Sequence, residues 1–144
     1  MDILTAMEIS GSALKAERTR LNIGAMNLAN ANTTRTIEGG PYRAKSVVFE
    51  AKPLEHDFRG QLERADTRLR KVEVVAVVED KAPFKEIYDL SHPDADEKGI
   101  VRLPNVNVTE QMVDIMSARR AYEANVTALD AVKSMALKAL DISR

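Results

Sequence analysis

Apolar side chains recur every seven residues at both ends of this chain, at Met7, Leu14, Leu21 and Leu28 and again at Val108, Ile115, Tyr122, Leu129 and Ala136. A seven-residue repeat lines those positions along one seam of a helix, and a lone helix cannot bury such a seam. Val126 and Leu140 extend the second stripe. The spacing predicts a helix from about Ile3 to Asn30 and another from about Val108 to Ile142. The second would be roughly 50 Å long at 1.5 Å per residue, against a radius of gyration of about 14 to 15 Å for a compact chain of this length. It is expected to project beyond a compact body or to lie along an elongated one.

The two ends enclose a middle of different character. Glu38-Gly39-Gly40-Pro41 is a turn signal, because Gly supplies unusual torsions and Pro blocks helix continuation. Strands are predicted over Tyr42–Phe49, over the β-branched run Val72–Val78 and more weakly over Phe84–Tyr88. Lys52–Lys71, polar and without sustained period, reads as a surface excursion with room for a short helix over Gln61–Arg68. Leu90–Gly99, rich in Asp, Pro and Gly, reads as an ordered loop or extended connector. Asn107, three residues before Glu110, marks the start of the last helix. The expected fold is α+β: long N- and C-terminal helices pairing as an antiparallel, coiled-coil-like layer, with a small strand-rich middle region. The parts are residues 1–36, 37–104 and 105–144.

Several function classes find no support. A net charge of −1, from 21 basic and 22 acidic residues, gives no surplus for phosphate neutralisation, so nucleic acid is not an expected partner. Neither end holds the run of apolar residues that spans a membrane, or a basic, apolar and cleavable leader. Cysteine is absent, which removes disulfides and thiolate metal sites. Catalysis would have to start from His92, with Asp94, Asp96 and Glu97 beside it, or from His56; an acidic loop flanked by Pro is more simply a solvated turn, and its spacing matches no metal motif. No phosphate loop, nucleophile elbow or dinucleotide fingerprint occurs. No catalytic residue, cofactor, metal or small-molecule substrate is predicted.

The helical ends themselves admit three readings: pairing with each other and with neighbouring copies, lying on a membrane surface as an adaptor, or wrapping an intramolecular core. The membrane reading is the weaker, because Glu110, Asp114, Glu123, Asp130 and Asp141 are mixed with the bases of the last helix. Small or polar residues at Ser10, Gly11, Glu17 and Gly24 make the first helix marginal without partners. An antiparallel pair would bring Glu17 near Arg119 or Lys133, and Asn125, beside the seam, is a candidate for a register-setting hydrogen bond.

Asn22-Ile23-Gly24-Ala25-Met26-Asn27-Leu28-Ala29-Asn30-Ala31-Asn32-Thr33 resembles the Asn-rich signature of axial rod and hook proteins, with Asn27, Ala29, Asn30, Ala31, Asn32 and Thr33 at its heart. Gly39-Gly40-Pro41-Tyr42-Arg43 followed by Val47-Val48-Phe49, then His92-Pro93-Asp94-Ala95, Pro104-Asn105-Val106-Asn107 and Glu110-Gln111-Met112-Val113 narrow the resemblance to flagellar basal-body rod proteins of the proximal rod. Arg120-Ala121-Tyr122-Glu123-Ala124-Asn125-Val126 and Lys133-Ser134-Met135 look like that family's C-terminal helix motif. Met26 departs from the usual Ser, and Leu90-Ser91 from the usual Pro-Gly. The resemblance implies a non-enzymatic axial subunit exported by the flagellar type III apparatus without a cleavable signal. It further implies a helical inner layer and a strand-rich part that joins neighbours. The implied partners are other rod proteins, the adaptor FliE, the membrane-ring protein and further copies of the chain.

Overall fold

The computed structural model describes residues 3–54 and 69–142. Two long helices, α1 (Ile3–Ala29) and α2 (Val108–Ile142), pack against each other. Between them in sequence lie β1 (Lys45–Pro53), β2 (Arg70–Glu79), β3 (Lys85–Tyr88) and β4 (Ile100–Leu103). The fold is α+β, as the sequence predicts. At 27 and 35 residues, α1 and α2 are about 40 and 52 Å long.

The helices run antiparallel: Asn27 of α1 meets Gln111 near the start of α2, and the earlier Arg20 meets Asp114 further on. Along α2, Gln111, Ile115, Ala118, Tyr122, Asn125, Leu129, Val132 and Ala136 are buried or half-buried. Their alternating spacing of four and three is the mark of a seam in a helix pair. On α1 the buried positions are Thr5, Ala16, Gly24 and Asn27, so the helices approach over small side chains.

Antiparallel β1 and β2 form a hairpin whose register shifts after Val48↔Ala76 to Phe49↔Val74, which leaves Val75 as a bulge. The strands run further than their apolar stretches suggest, into Lys52-Pro53 and Arg70-Lys71, so the predicted surface excursion is shorter than expected at both ends. The possible helix over Gln61–Arg68 lies outside the described residues. Exposure alternates along the early part of β2, with Val72, Val74 and Ala76 half-buried and Glu73, Val75 and Val77 exposed. That is the period of two of a strand with one covered face. The hairpin lies against α1, where Ser12 Oγ accepts a hydrogen bond from the Val72 amide at 3.1 Å.

A second hairpin pairs β3 with β4 in antiparallel register. β4 has no counterpart among the predicted strands, because Ile100–Leu103 is only four residues long and follows a turn-rich loop. Its Val101, fully buried, is the largest enclosed apolar side chain. The loop between β3 and β4 is ordered as expected: Asp89 N–H donates to Gly99, and Asp96 receives the Lys98 and Ile100 amides at 2.9 Å each. Gly39 and Gly40 turn with φ of 90° and 79°, torsions that side-chain-bearing residues rarely adopt.

Candidate functional site: the junction of helices and hairpin

The helical layer and the first hairpin meet at Asn27, which is 1 % exposed. A side-chain carboxamide offers two donors and two acceptor lone pairs, and here all four are used. Nδ2 donates to the Lys45 carbonyl at 2.7 Å and to Gln111 Oε1 at 2.9 Å. Oδ1 accepts from the Tyr42 hydroxyl and from the Lys45 amide, both at 2.9 Å. The amide of Asn27 thus pairs with the Lys45 peptide as a neighbouring strand would, and ties α1 to β1 and α2 together. A buried polar group is tolerated only when it is satisfied in this way.

The rest of the Asn-rich segment closes α1. Asn30 accepts from the Thr33 hydroxyl through its side chain and donates to Met26, and the Tyr42 amide donates to the Thr33 carbonyl. Burial, aided by the charge of Glu79, raises the Tyr42 phenol above its ordinary value. From the other end of the chain, Asn105 Oδ1 accepts the Ala44 amide at 2.8 Å, and its Nδ2 reaches the carbonyls of Asp80 and Ala82. Arg43 sits over the Phe84 ring, 4.2 Å from its centroid.

Along the helix pair, Met7, Leu14, Leu21, Leu28, Ile115, Tyr122, Leu129 and Ala136 are half-buried, whereas Val108, Val126 and Leu140 are exposed. The second column of the α2 seam, Gln111, Ala118, Asn125 and Val132, is invisible to an apolar count because two of its members are amides. Glu17 does not meet Arg119 or Lys133. It lies 3.7 Å from Arg20, which in turn holds Asp114 at 2.6 Å, and Arg119 pairs with Glu123 on its own helix. Partners one turn away cost less chain entropy than partners across an interface. The neighbouring carboxylates, Asp114 above all, raise the Arg20 guanidinium further above its already high value. Asn125 likewise donates to Ala121 of its own helix at 2.9 Å instead of crossing to α1.

His92 Nδ1 accepts the Asp94 amide within the loop turn; His56 lies outside the described residues. Among the described residues no group of carboxylates and histidines is disposed to hold a metal ion, and no helix is long and apolar enough to cross a membrane. The uncovered features are apolar: Met112, Val113 and Met116 on α2, and Val48, Val75, Val77 and Val78 on the first hairpin.

Comparison with known proteins places this architecture. Residues 7–35 match the family model for flagella basal body rod protein, and residues 97–142 match the C-terminal model of the flagellar basal body rod FlgEFG proteins. Over 144 residues, covering all of both chains, the sequence is 44 % identical to the flagellar basal-body rod protein FlgC of Escherichia coli O6:H1. It is 38 % identical over 150 residues, again covering both chains fully, to FlgC of Bacillus subtilis. With FlgC of Borreliella burgdorferi it shares 39 % identity over 99 % of this chain and 98 % of the relative.

Proposed function

Because the chain belongs to the FlgC family of flagellar basal-body rod proteins, it is a structural subunit of the bacterial flagellar rod, and we propose that it builds the proximal rod by folding coupled to assembly. The observation that carries this reading is uncovered surface. Among the described residues, Met112, Val113, Met116 and Leu137 on α2 and Val48, Val75, Val77 and Val78 on the first hairpin are large apolar side chains left exposed. Apolar surface left uncovered to this extent marks an interaction site. Much of the α2 surface and the outer face of the first hairpin await neighbours.

In this reading residues 1–36 and 105–144 form the helical inner layer, which walls the export channel and carries torque, and residues 37–104 join adjoining subunits on the outside. The seam residues Met7, Leu14, Leu21, Leu28, Ile115, Tyr122, Leu129 and Ala136 hold the helix pair, while the exposed Val108, Val126 and Leu140 face neighbours. Each large apolar side chain buried on assembly contributes about 1.5 to 3 kcal/mol toward the ordering entropy.

The chain associates with other rod proteins; within that association we assign it contacts with FliE, the membrane ring and further copies of itself, after passage through the type III export apparatus. Its place is the stretch of rod crossing the periplasm, and its role is mechanical and non-catalytic. Acids and bases alternate along exposed α2, from Glu110 through Arg119, Arg120 and Glu123 to Lys138 and Asp141, which does not favour the membrane-surface reading. Electron cryotomography of cells lacking the gene tests the role. Membrane rings without a completed rod, restored by the wild-type gene, are expected; normal rods and hooks would overturn it.

A further inference from the structure

The first hairpin enters the helical layer through two consecutive residues, Ala44 and Lys45, and both are held by asparagines from opposite ends of the sequence. Asn27 takes the amide and carbonyl of Lys45, and Asn105 takes the amide of Ala44. Asn105 also reaches past the far end of β2 to the carbonyls of Asp80 and Ala82, so both strands are gripped where they meet the helices. The remaining donor hydrogen of Asn27 goes to Gln111 of α2.

We propose that Asn27, Asn105 and Gln111 are positioning residues that make the orientation of the hairpin depend on the register of the helix pair. The geometry supports this directly. Asn27 has no unused hydrogen-bonding capacity, so sliding α2 strips it of Gln111, and swinging the hairpin strips it of Lys45. Either movement leaves a buried amide unsatisfied, which selects one combined arrangement. Further along, the hairpin rests on α1 through the half-buried face of β2 at Val72, Val74 and Ala76, whose apolar packing is non-directional, through the Ser12 contact to Val72, and through a surface ion pair of Lys71 with Glu8 at 3.4 Å. Exposed ion pairs hold weakly. The base of the hairpin is therefore where its angle is fixed. The consequence for assembly rests on the reading that the hairpin's outer surface meets neighbouring rod subunits: a chain whose helices are unpaired or out of register presents that surface at the wrong angle and is not accepted.

The absence of cysteine gives a clean background for the test. Glu8→Cys with Lys71→Cys places one thiol on α1 and one on β2, about 28 Å along α1 from Asn27, where a short bis-thiol cross-linker reports the hairpin angle. Into this background go the exchange pair Asn27→Gln with Gln111→Asn, and separately Asn105→Ala. The exchange keeps a carboxamide on each helix and their combined length, so the contact between α1 and α2 can re-form while the amide is displaced from Lys45. Asn105 lies outside both helices, so its variant keeps the fold testable if the exchange does not fold. Cross-linking of the purified full-length chain is expected to fall several-fold in both variants with helical circular dichroism unchanged, and incorporation into basal bodies to fall with it. Wild-type cross-linking in the helical Asn105 variant would overturn the clamp. Reduced cross-linking with normal rod incorporation would keep the clamp and overturn the reading that neighbours use the hairpin.

Discussion

A Cβ placed on Gly24 would stand 2.8 Å from Ile115 Cγ1, so α1 brings its backbone against a side chain of α2 with no room for a methyl group between them. Gly in a helix interior costs about 1 kcal/mol relative to Ala, and close packing here is what that cost obtains. Gly24→Ala is expected to lower the melting temperature despite its better helix propensity, since overpacking costs about 1 to 3 kcal/mol. Adding Ile115→Ala, which removes both γ carbons, is expected to cost less in the Gly24→Ala background than in the wild type. Thermal denaturation followed by circular dichroism, on both single variants and the double, measures the coupling.

Leu21 and Leu129 are half-buried on α1 and α2, and we assign both to the seam. Leu21→Asp and Leu129→Asp each put an unpaired charge at the helix contact. Each is expected to abolish rod incorporation while leaving export intact, read by blotting the secreted and basal-body fractions. Normal incorporation of both would remove the seam assignment.

Tyr42 donates its hydroxyl to Asn27 inside the junction. Tyr42→Phe removes one hydrogen bond and leaves Asn27 Oδ1 with the Lys45 amide as its remaining donor, an expected loss of about 1 kcal/mol in chemical denaturation. Burial raises the wild-type phenol, with Glu79 adding to the shift. The stabilisation is therefore complete below the ordinary tyrosine value of about 10 and disappears as pH rises through the higher folded value. Ultraviolet titration is expected to show a late-ionising tyrosine in the wild type that is lost in the variant.

The Asp96 carboxyl is held below the usual carboxylate range, first by the Ile100 amide and then by that of Lys98. With the folded value depressed, its contribution is present above about 3.9, the ordinary value, and is lost as pH falls through the folded one. Protection factors at Lys98 and Ile100, with the intrinsic pH dependence of amide exchange divided out, are expected to fall on acidification in the wild type and to stay level in Asp96→Asn, whose side-chain oxygen still accepts both bonds without titrating.

Both long helices and the two strands of the first hairpin could be read from the sequence, the helices from their period of seven, β2 from its run of β-branched residues and β1 from the apolar Val47-Val48-Phe49 after a turn signal. β4 could not, since four residues show too little pattern and its partner β3 is reached only through the loop. The role of Asn27 was visible as a motif but not as a mechanism: its partners Tyr42, Lys45 and Gln111 lie 15, 18 and 84 residues away. The expectation of Glu17 near Arg119 or Lys133 meets the same limit: Glu17 and Arg119 take ion-pair partners on their own helices, and one sequence does not fix which charges pair across an interface when nearer partners exist.

Lys45 with Glu79 and Lys52 with Glu73 neutralise the first hairpin internally, while Val75 and Val77 stay uncovered and each two-stranded sheet, among the described residues, leaves an edge of each strand open. Charge repulsion between copies, the usual safeguard of such edges, is thereby weakened. Free folded copies are therefore expected to pair edge to edge as their concentration rises, so the feature that equips the hairpin to meet neighbours in an assembly also sets a ceiling on how much unassembled protein stays dispersed.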